Sequence, residues 1–315
     1  MNLHICTYFD FNFLPRGLAL YYSIKRYHSD FKFYVLAFDN ETYSYLSNLG
    51  EQNIVPISFD TYNSYFDTSV DRFADKKQYY FTATPNICIY LLEKYPSIDI
   101  LLYLDADVYL FNSLDSLYDE FGDNSIGICP HRLHPLTRKL TKNHGVFNVG
   151  VNLFRNSEIG RKCLYDWKLD CETWYKGKPG YHLEYFSDQI FLDSWPDRYS
   201  KVKIIENIGV DVAPWNAANY SFSKNQNGYF VNDYPLIIYH FSALKKVDRS
   251  KWNGNSIVYL ASIKTTLLDI YNKYIDEIER FDYCKVAEIK LQRNISKRIF
   301  YFIASLFLRE TIIRK

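Results

Sequence analysis

Two aspartates, Asp105 and Asp107, stand two residues apart where an unbroken apolar run, Ile100-Leu101-Leu102-Tyr103-Leu104, comes to an end. A run without alternation reads as a strand buried on both faces of a mostly parallel sheet. If the backbone stays extended past Leu104, side chains at i and i+2 project to the same side. Two crowded carboxylates repel each other unless a cation lies between them. Hard oxygen donors at the carboxyl edge of an α/β sheet suit Mg²⁺ or Mn²⁺, with phosphate oxygens completing the shell. A D-x-D is short, and the same three residues would serve a solvated turn after a core strand.

Other chemistry-bearing residues lie downstream. Asn148 and Asn152 interrupt an apolar strand in 145–155. Buried amides need partners, either a backbone clamp or a ligand hydroxyl. In Ser187-Asp188-Gln189, the serine can cap a helix with Asp188 in its first turn, while Gln189 has no obvious structural task. The loop 130–144 carries His131, Arg132, His134, Arg138, Lys139, Lys142 and His144, which fits a solvated loop or a lid over an anionic substrate. The loop 209–220 offers Trp215, Asn216 and Asn219, suited to sugar contact or to packing. His240 ends the last apolar strand, 236–240, and leads into F-S-A-L-K-K.

The elements that must position these groups follow from periodicity. Residues 3–8, 31–38 and 53–57 read as strands, with a helix after Pro15 and a short one over 41–49 closed by Gly50. This β-α-β-α-β order opens a doubly wound nucleotide-binding sheet. Residues 60–77 have no period. A helix over 82–95, with Pro85 in its first turn, leads into the central strand. Further strands are expected at 125–129 and 203–208, and a helix over 158–175 with a stripe of Cys163, Leu164, Trp167, Cys171 and Trp174.

With 315 residues, 48% apolar and 23% charged, the chain can bury a large core. Its net charge of +1 gives no basic field for nucleic acid. Six scattered cysteines without a C-x-x-C pair suit a reducing compartment. The N-terminus begins directly as a strand, without a signal-peptide pattern, so an intracellular location is expected.

Four ordered segments, Y-L-D-A-D-V, F-N-V-G-V, S-D-Q and H-F-S-A-L-K-K, give the chain a clear family likeness over roughly residues 1–250. It resembles glycosyltransferase family 8, the retaining enzymes that include bacterial lipopolysaccharide galactosyl- and glucosyltransferases and glycogenin. The resemblance implies a GT-A fold, a Rossmann-like, mostly parallel α/β sheet flanked by helices, and transfer of a hexose from a nucleotide-diphosphate sugar such as UDP-glucose or UDP-galactose. It places the metal ligands on Asp105, Asp107 and His240, with Mn²⁺ or Mg²⁺ as cofactor. It also places a phosphate contact on Lys246, the donor sugar on Asn148, Asp188 and Gln189, the catalytic role on Asp188 and Gln189, and the base and ribose near Thr7, Tyr8 and Asp10.

Two departures point to a divergent branch. The family's H-x-x-G-x-x-K-P-W reads here with Ala243, Val247 and Asp248 in place of glycine, proline and tryptophan, and Thr84-Pro85-Asn86 stands where the family has an arginine. The alternatives on a related sheet are an inverting glycosyltransferase or a sugar nucleotidyltransferase. A non-catalytic glycan-binding scaffold is a third.

The expected domains are a transferase unit over 1–260 and C-terminal helices over 261–315. From Lys285 onward, eight basic residues face only Glu288 and Glu310, and apolar residues recur at near-helical spacing from Ile295 to Phe307. The apolar part is too short to span a bilayer. It reads as a basic amphipathic helix on an anionic membrane or as a last helix packed on the body. The first alternative suggests a peripheral protein on the cytoplasmic face of the membrane, extending a lipid-linked surface glycan.

Overall fold

The computed structural model describes residues 2–66, 76–174, 188–281 and 304–313. Strands β1 (Leu3–Phe9), β2 (Phe31–Ala37) and β3 (Ile54–Ile57) alternate with helices α1 (Leu14–Tyr27) and α2 (Asn40–Asn48), as their periodicity requires. Pro15 occupies the first turn of α1, where a missing N–H costs nothing. The Asp39 side chain accepts from Thr42 N to cap α2, and Gly50 ends that helix at φ +74°. Next come α3 (Phe59–Phe66), α4 (Lys76–Lys94), β4 (Ile100–Leu104), β5 (Val108–Leu110), α5 (Asp115–Phe121) and β6 (Ile126–Pro130). They lead to α6 (Thr141–His144), β7 (Phe147–Arg155), α7 (Glu158–Trp174), α8 (Trp195–Arg198) and β8 (Val202–Ile204).

The main sheet has seven strands in the order β3-β2-β1-β4-β7-β6-β8. It is parallel except at β7, which runs against both β4 and β6. Leu102 and Leu104 face a core shared with α1, while Leu101 and Tyr103 face one shared with α4 and α7. Burial on both sides is why β4 is apolar without alternation.

Three local expectations need correction. Helix α4 begins at Lys76, and Pro85 lies inside it rather than at its start. Tyr79, Ala83, Ile87 and Leu91 are buried at intervals of four, and this continuous face holds the helix together across the lost N–H. The second correction concerns Asp105 to Asp107, which form a turn and not an extended strand end. Val108 N donates to Asp105 O at 3.2 Å, and the chain restarts as β5. Third, the segment after Ser187 is a 3₁₀ helix, Asp188–Ser194, running into α8; Ser187 lies outside the described residues.

A meander of β9 (Phe222–Asn225), β10 (Gly228–Val231) and β11 (Tyr234–Pro235) precedes β12 (Ile238–His240). The last expected strand of the sheet is thus three residues long and pairs antiparallel with β5, outside the main sheet. After it come β13 (Lys245–Asp248), β14 (Lys251–Asn253) and α9 (Thr265–Arg280). Helix α9 packs on α1 and on a third core that includes Tyr109, Tyr239, Phe241 and Trp252. The amphipathic tail lies largely outside the described residues. Its visible end forms β15 (Thr311–Ile313), antiparallel to β14, with Ile312 fully buried. Among the described residues, no helix is long and apolar enough to cross a membrane.

Tyr274 of α9 stacks on Phe241 at 3.9 Å between ring centroids, just after His240. Its hydroxyl is buried without a hydrogen-bond partner among the described residues. Tyr274→Ala is expected to cost about 3–5 kcal/mol in urea unfolding. Tyr274→Phe should stay within about 1 kcal/mol of wild type, because no hydrogen bond is lost.

Candidate active site

The turn between β4 and β5 and the end of β12 bring three side chains to one point. The register His240↔Val108 sets His240 beside Asp107. Its Nε2 lies 3.1 Å from Asp107 Oδ1 and 3.7 Å from Asp105 Oδ2. One ligand atom from each of the three residues falls within 4.8 Å of the others. Asp105 and Asp107 are partly exposed and His240 is buried. Tyr103 donates to Asp105 Oδ1 at 2.8 Å, orienting the carboxylate.

The electrostatics show how crowded the cluster is. Burial, with Asp107 nearby, pushes the Asp105 carboxyl up to about 6 despite the opposing pull of His240. Burial also works against charge on Asp107, but His240 opposite holds that carboxyl below its ordinary value. Desolvation would strip the His240 proton. Asp107, Asp211 and Asp105 overcome it and hold the imidazole well above its usual range. A divalent cation would relieve the same crowding. Two carboxylate oxygens and one imidazole nitrogen suit Mn²⁺ or Mg²⁺, so the residues fit such an ion.

Two cavities meet at this cluster. One, of about 350 Å³, is lined by Asn148, Asp188 and Gln189 together with Asp105, Asp107 and His240. The other, of about 330 Å³, has Tyr8, Asp10, Phe38 and Tyr80 in its wall and also touches Asp105 and Asp107. Asn148 Nδ2 donates to Gln189 Oε1 at 3.2 Å, and its Oδ1 accepts from Gly150 N at 2.7 Å. Asp188 is nearly buried. Tyr8 and Asp10 thus line the second cavity, while Thr7 is fully buried and its hydroxyl has no partner among the described residues.

Lys246 lines neither cavity. Its ammonium sits 5.5 Å from the Trp252 ring and 3.8 Å from the Glu279 carboxylate. A cation that sequence reasoning missed lies closer: buried Arg16 donates to Leu244 O at 3.0 Å, and its charge acts on Asp107. Ala243 adopts φ +58°, so the position where the family pattern has glycine keeps a left-handed backbone here under an alanine. Thr84, in place of the family arginine, shares a hydrogen bond with Tyr8 at 3.1 Å.

The loop 130–144 is only partly the solvated segment its composition allows. His131 is buried, with its Nε2 3.5 Å from Asn148 Nδ2 and its ring edge-on to Trp215. Burial pushes its pKa down to about 4, so it is neutral at physiological pH. Trp215, fitted equally to sugar contact or packing, is nearly buried between the rings of His131 and His240, yet it lines the first cavity.

Residues 4–194 match the family described as Glycosyl transferase family 8. The chain belongs to that family. It is 22% identical over 283 residues to the uncharacterized protein YfnD of Bacillus subtilis (strain 168), covering 89% of this chain and 90% of that protein. It is 25% identical over 256 residues to YfnF of the same organism, covering 78% and 83%. The galactosyltransferase LgtC, solved in complex with donor and acceptor sugar analogs, superposes with a TM-score of 0.54 at 17% identity, covering 95% of this chain and all of that one. The family 8 chain is therefore a glycosyltransferase with a GT-A fold and a candidate divalent-metal site.

Gly150 shows how tightly that site is built. A Cβ there would lie 2.5 Å from His240 Cε1 and Nδ1 and 2.7 Å from Asn148 Oδ1, so the bare backbone of β7 forms one wall of the imidazole. Gly150→Ala is expected to displace His240 and weaken Mn²⁺ binding by about tenfold or more. Calorimetric titration of the folded variant measures this.

Proposed function

We propose that this chain is a metal-dependent retaining hexosyltransferase that uses a nucleotide-diphosphate sugar, most simply UDP-glucose or UDP-galactose, to extend a glycan. The observation that carries this reading is the meeting of two cavities at the Asp105–Asp107–His240 cluster. A nucleotide in the aromatic cavity would have its diphosphate at the cluster and its sugar beside Asn148, Asp188 and Gln189. Tyr8 and Tyr80 offer faces for the base, and Asp10 a carboxylate for the ribose. Thr7, buried behind them, would support that wall from inside. Asp105, Asp107 and His240 would hold the cation, which when bound supplies charge neutralisation for the diphosphate leaving group.

The chain's own residues orient the reacting sugar. Gln189 and Asn148 already hydrogen-bond each other, so sugar hydroxyls meet a fixed pair of amides. The bond from sugar C1 to the phosphate oxygen breaks, the acceptor oxygen bonds to C1, and the acceptor proton passes to the departing phosphate. Retention follows from front-face attack or from two displacements. In the second route Asp188 is the nucleophile, since among the described residues it is, apart from the metal-site pair, the one carboxylate lining that cavity. Lys246 would reach the phosphates on leaving Glu279, and Arg16 would add fixed positive potential behind Asp107.

Calorimetry with UDP and Mn²⁺, followed by turnover of UDP-hexoses, tests this reading. UDP binding should require Mn²⁺ and vanish in Asp107→Ala. Asp188→Asn should bind UDP with Mn²⁺ as wild type does, yet lose about 100-fold or more in turnover. Binding of UDP that ignores both metal and Asp107 would overturn the metal reading.

The tail supports a peripheral site on an anionic cytoplasmic membrane and a lipid-linked acceptor. Leu306 and Phe307 are 66% and 73% exposed, and Lys264 donates to Phe307 O with Arg309 two residues on. The full chain is expected to sediment with vesicles containing phosphatidylglycerol and not with pure phosphatidylcholine. Leu306→Asp/Phe307→Asp should abolish that association while leaving UDP binding unchanged. Equal sedimentation of the double variant would rule out the tail as the contact.

A further inference from the structure

Residues 209–216 bend around His240 from the side opposite the metal cluster. Val212 bridges Tyr239 in parallel; its N–H donates to Ile238 O at 3.0 Å and its carbonyl accepts from His240 N at 2.7 Å. These bonds fix Asp211 against the imidazole. Asp211 takes φ +56°, a left-handed conformation that strains a residue with a Cβ unless surrounding structure holds it. Asn216 supplies that hold, donating from Nδ2 to Asp211 O at 3.0 Å and to His131 O at 3.1 Å while accepting from Ala213 N.

The Asp211 side chain is fully buried, and among the described residues neither of its oxygens makes a hydrogen bond. Its neighbours in sequence, Val210, Val212 and Ala213, are fully buried too. A carboxylate placed there for the fold alone would be destabilising, since burial penalises its charge and no hydrogen bond offsets it. One of its oxygens lies 3.4 Å from His240 Nδ1, which is likewise unpartnered. That separation exceeds a formed N–H···O bond by a few tenths of an ångström.

We propose that Asp211 is a positioning residue that accepts the Nδ1–H of His240 and so presents Nε2 to the cation site at Asp105 and Asp107. A metal-bound histidine needs its other nitrogen protonated and held, and a carboxylate also makes the ring a stronger donor. Gly150 abuts the Cε1–Nδ1 edge of the ring and Trp215 meets it edge-on, and among the described residues Asp211 is the carboxylate placed at Nδ1. The assignment rests on the reading of Asp105, Asp107 and His240 as a divalent-cation site.

The experiment is a Mn²⁺ titration of the full chain, following free Mn²⁺ by electron paramagnetic resonance, in wild type, Asp211→Asn and Asp211→Ala. The thermal midpoint of each metal-free protein serves as the folding control. Asparagine should weaken Mn²⁺ about tenfold and alanine by up to about 100-fold. The metal-free midpoints should not fall, because His240 keeps Asp105 and Asp107 as partners. Wild-type-like Mn²⁺ affinity in both variants overturns the proposal while sparing the metal site. Absence of Mn²⁺ binding in wild type overturns both. Should neither variant fold, ¹H–¹⁵N spectra of histidine-labelled, Zn²⁺-loaded wild type decide. A downfield proton on His240 Nδ1 supports the assignment, and a bare or metal-bound Nδ1 overturns it.

Discussion

The imidazole of His240 sits among the carboxylates of Asp105, Asp107 and Asp211, and the surrounding architecture exists to hold it there. Three acids so close repel one another strongly in a partly desolvated site. A positive charge between them, the protonated ring or a divalent ion, relieves that repulsion. This requirement explains why the β4–β5 turn, the β5–β12 ribbon and the crossed hydrogen bonds of Val212 are all short and tightly tied. A loose arrangement would let the acids spread into solvent, and the site would lose its affinity for a cation.

The same constraint reaches into the C-terminal elements. The chain leaves His240 through a left-handed Ala243, and Arg16 of α1 grips the carbonyl of the next residue, Leu244. Phe241 stacks under Tyr274 of α9. Glycine would adopt the Ala243 conformation without strain; here packing on α9 and the Arg16 bond supply what local preference does not. Helix α9 therefore packs as part of the body that carries the site, and β15 brings the visible end of the chain back to β14.

Some of the site was legible because its residues break a local rule. Asp105 and Asp107 end an apolar strand, Asn148 interrupts one, and His240 closes one; each is a polar group where burial is expected, and each lines the same cavity. Asp211 breaks the rule equally, alone among Val210, Val212 and Ala213, but in its loop Trp215, Asn216 and Asn219 carry the more conspicuous chemistry. Gly150 left no readable signal, because the crowding that excludes a side chain there comes from His240, distant in sequence. Pro85 misled in the opposite direction, since a proline is a helix-start signal only when tertiary packing does not carry the helix past it.

Residue types and order by themselves determined the α/β class, the doubly wound opening and the family. Those depend on periodicity and on chemistry that each segment carries with it. Only the tertiary structure decided that Asp105 and Asp107 converge through a turn, that Lys246 rests against Trp252 and Glu279, and that Asp211 stands behind His240. These are outcomes of strand register and packing between segments far apart in the chain. Local sequence holds no record of which atom faces which, because a shift of one residue in a strand turns every side chain to the opposite face.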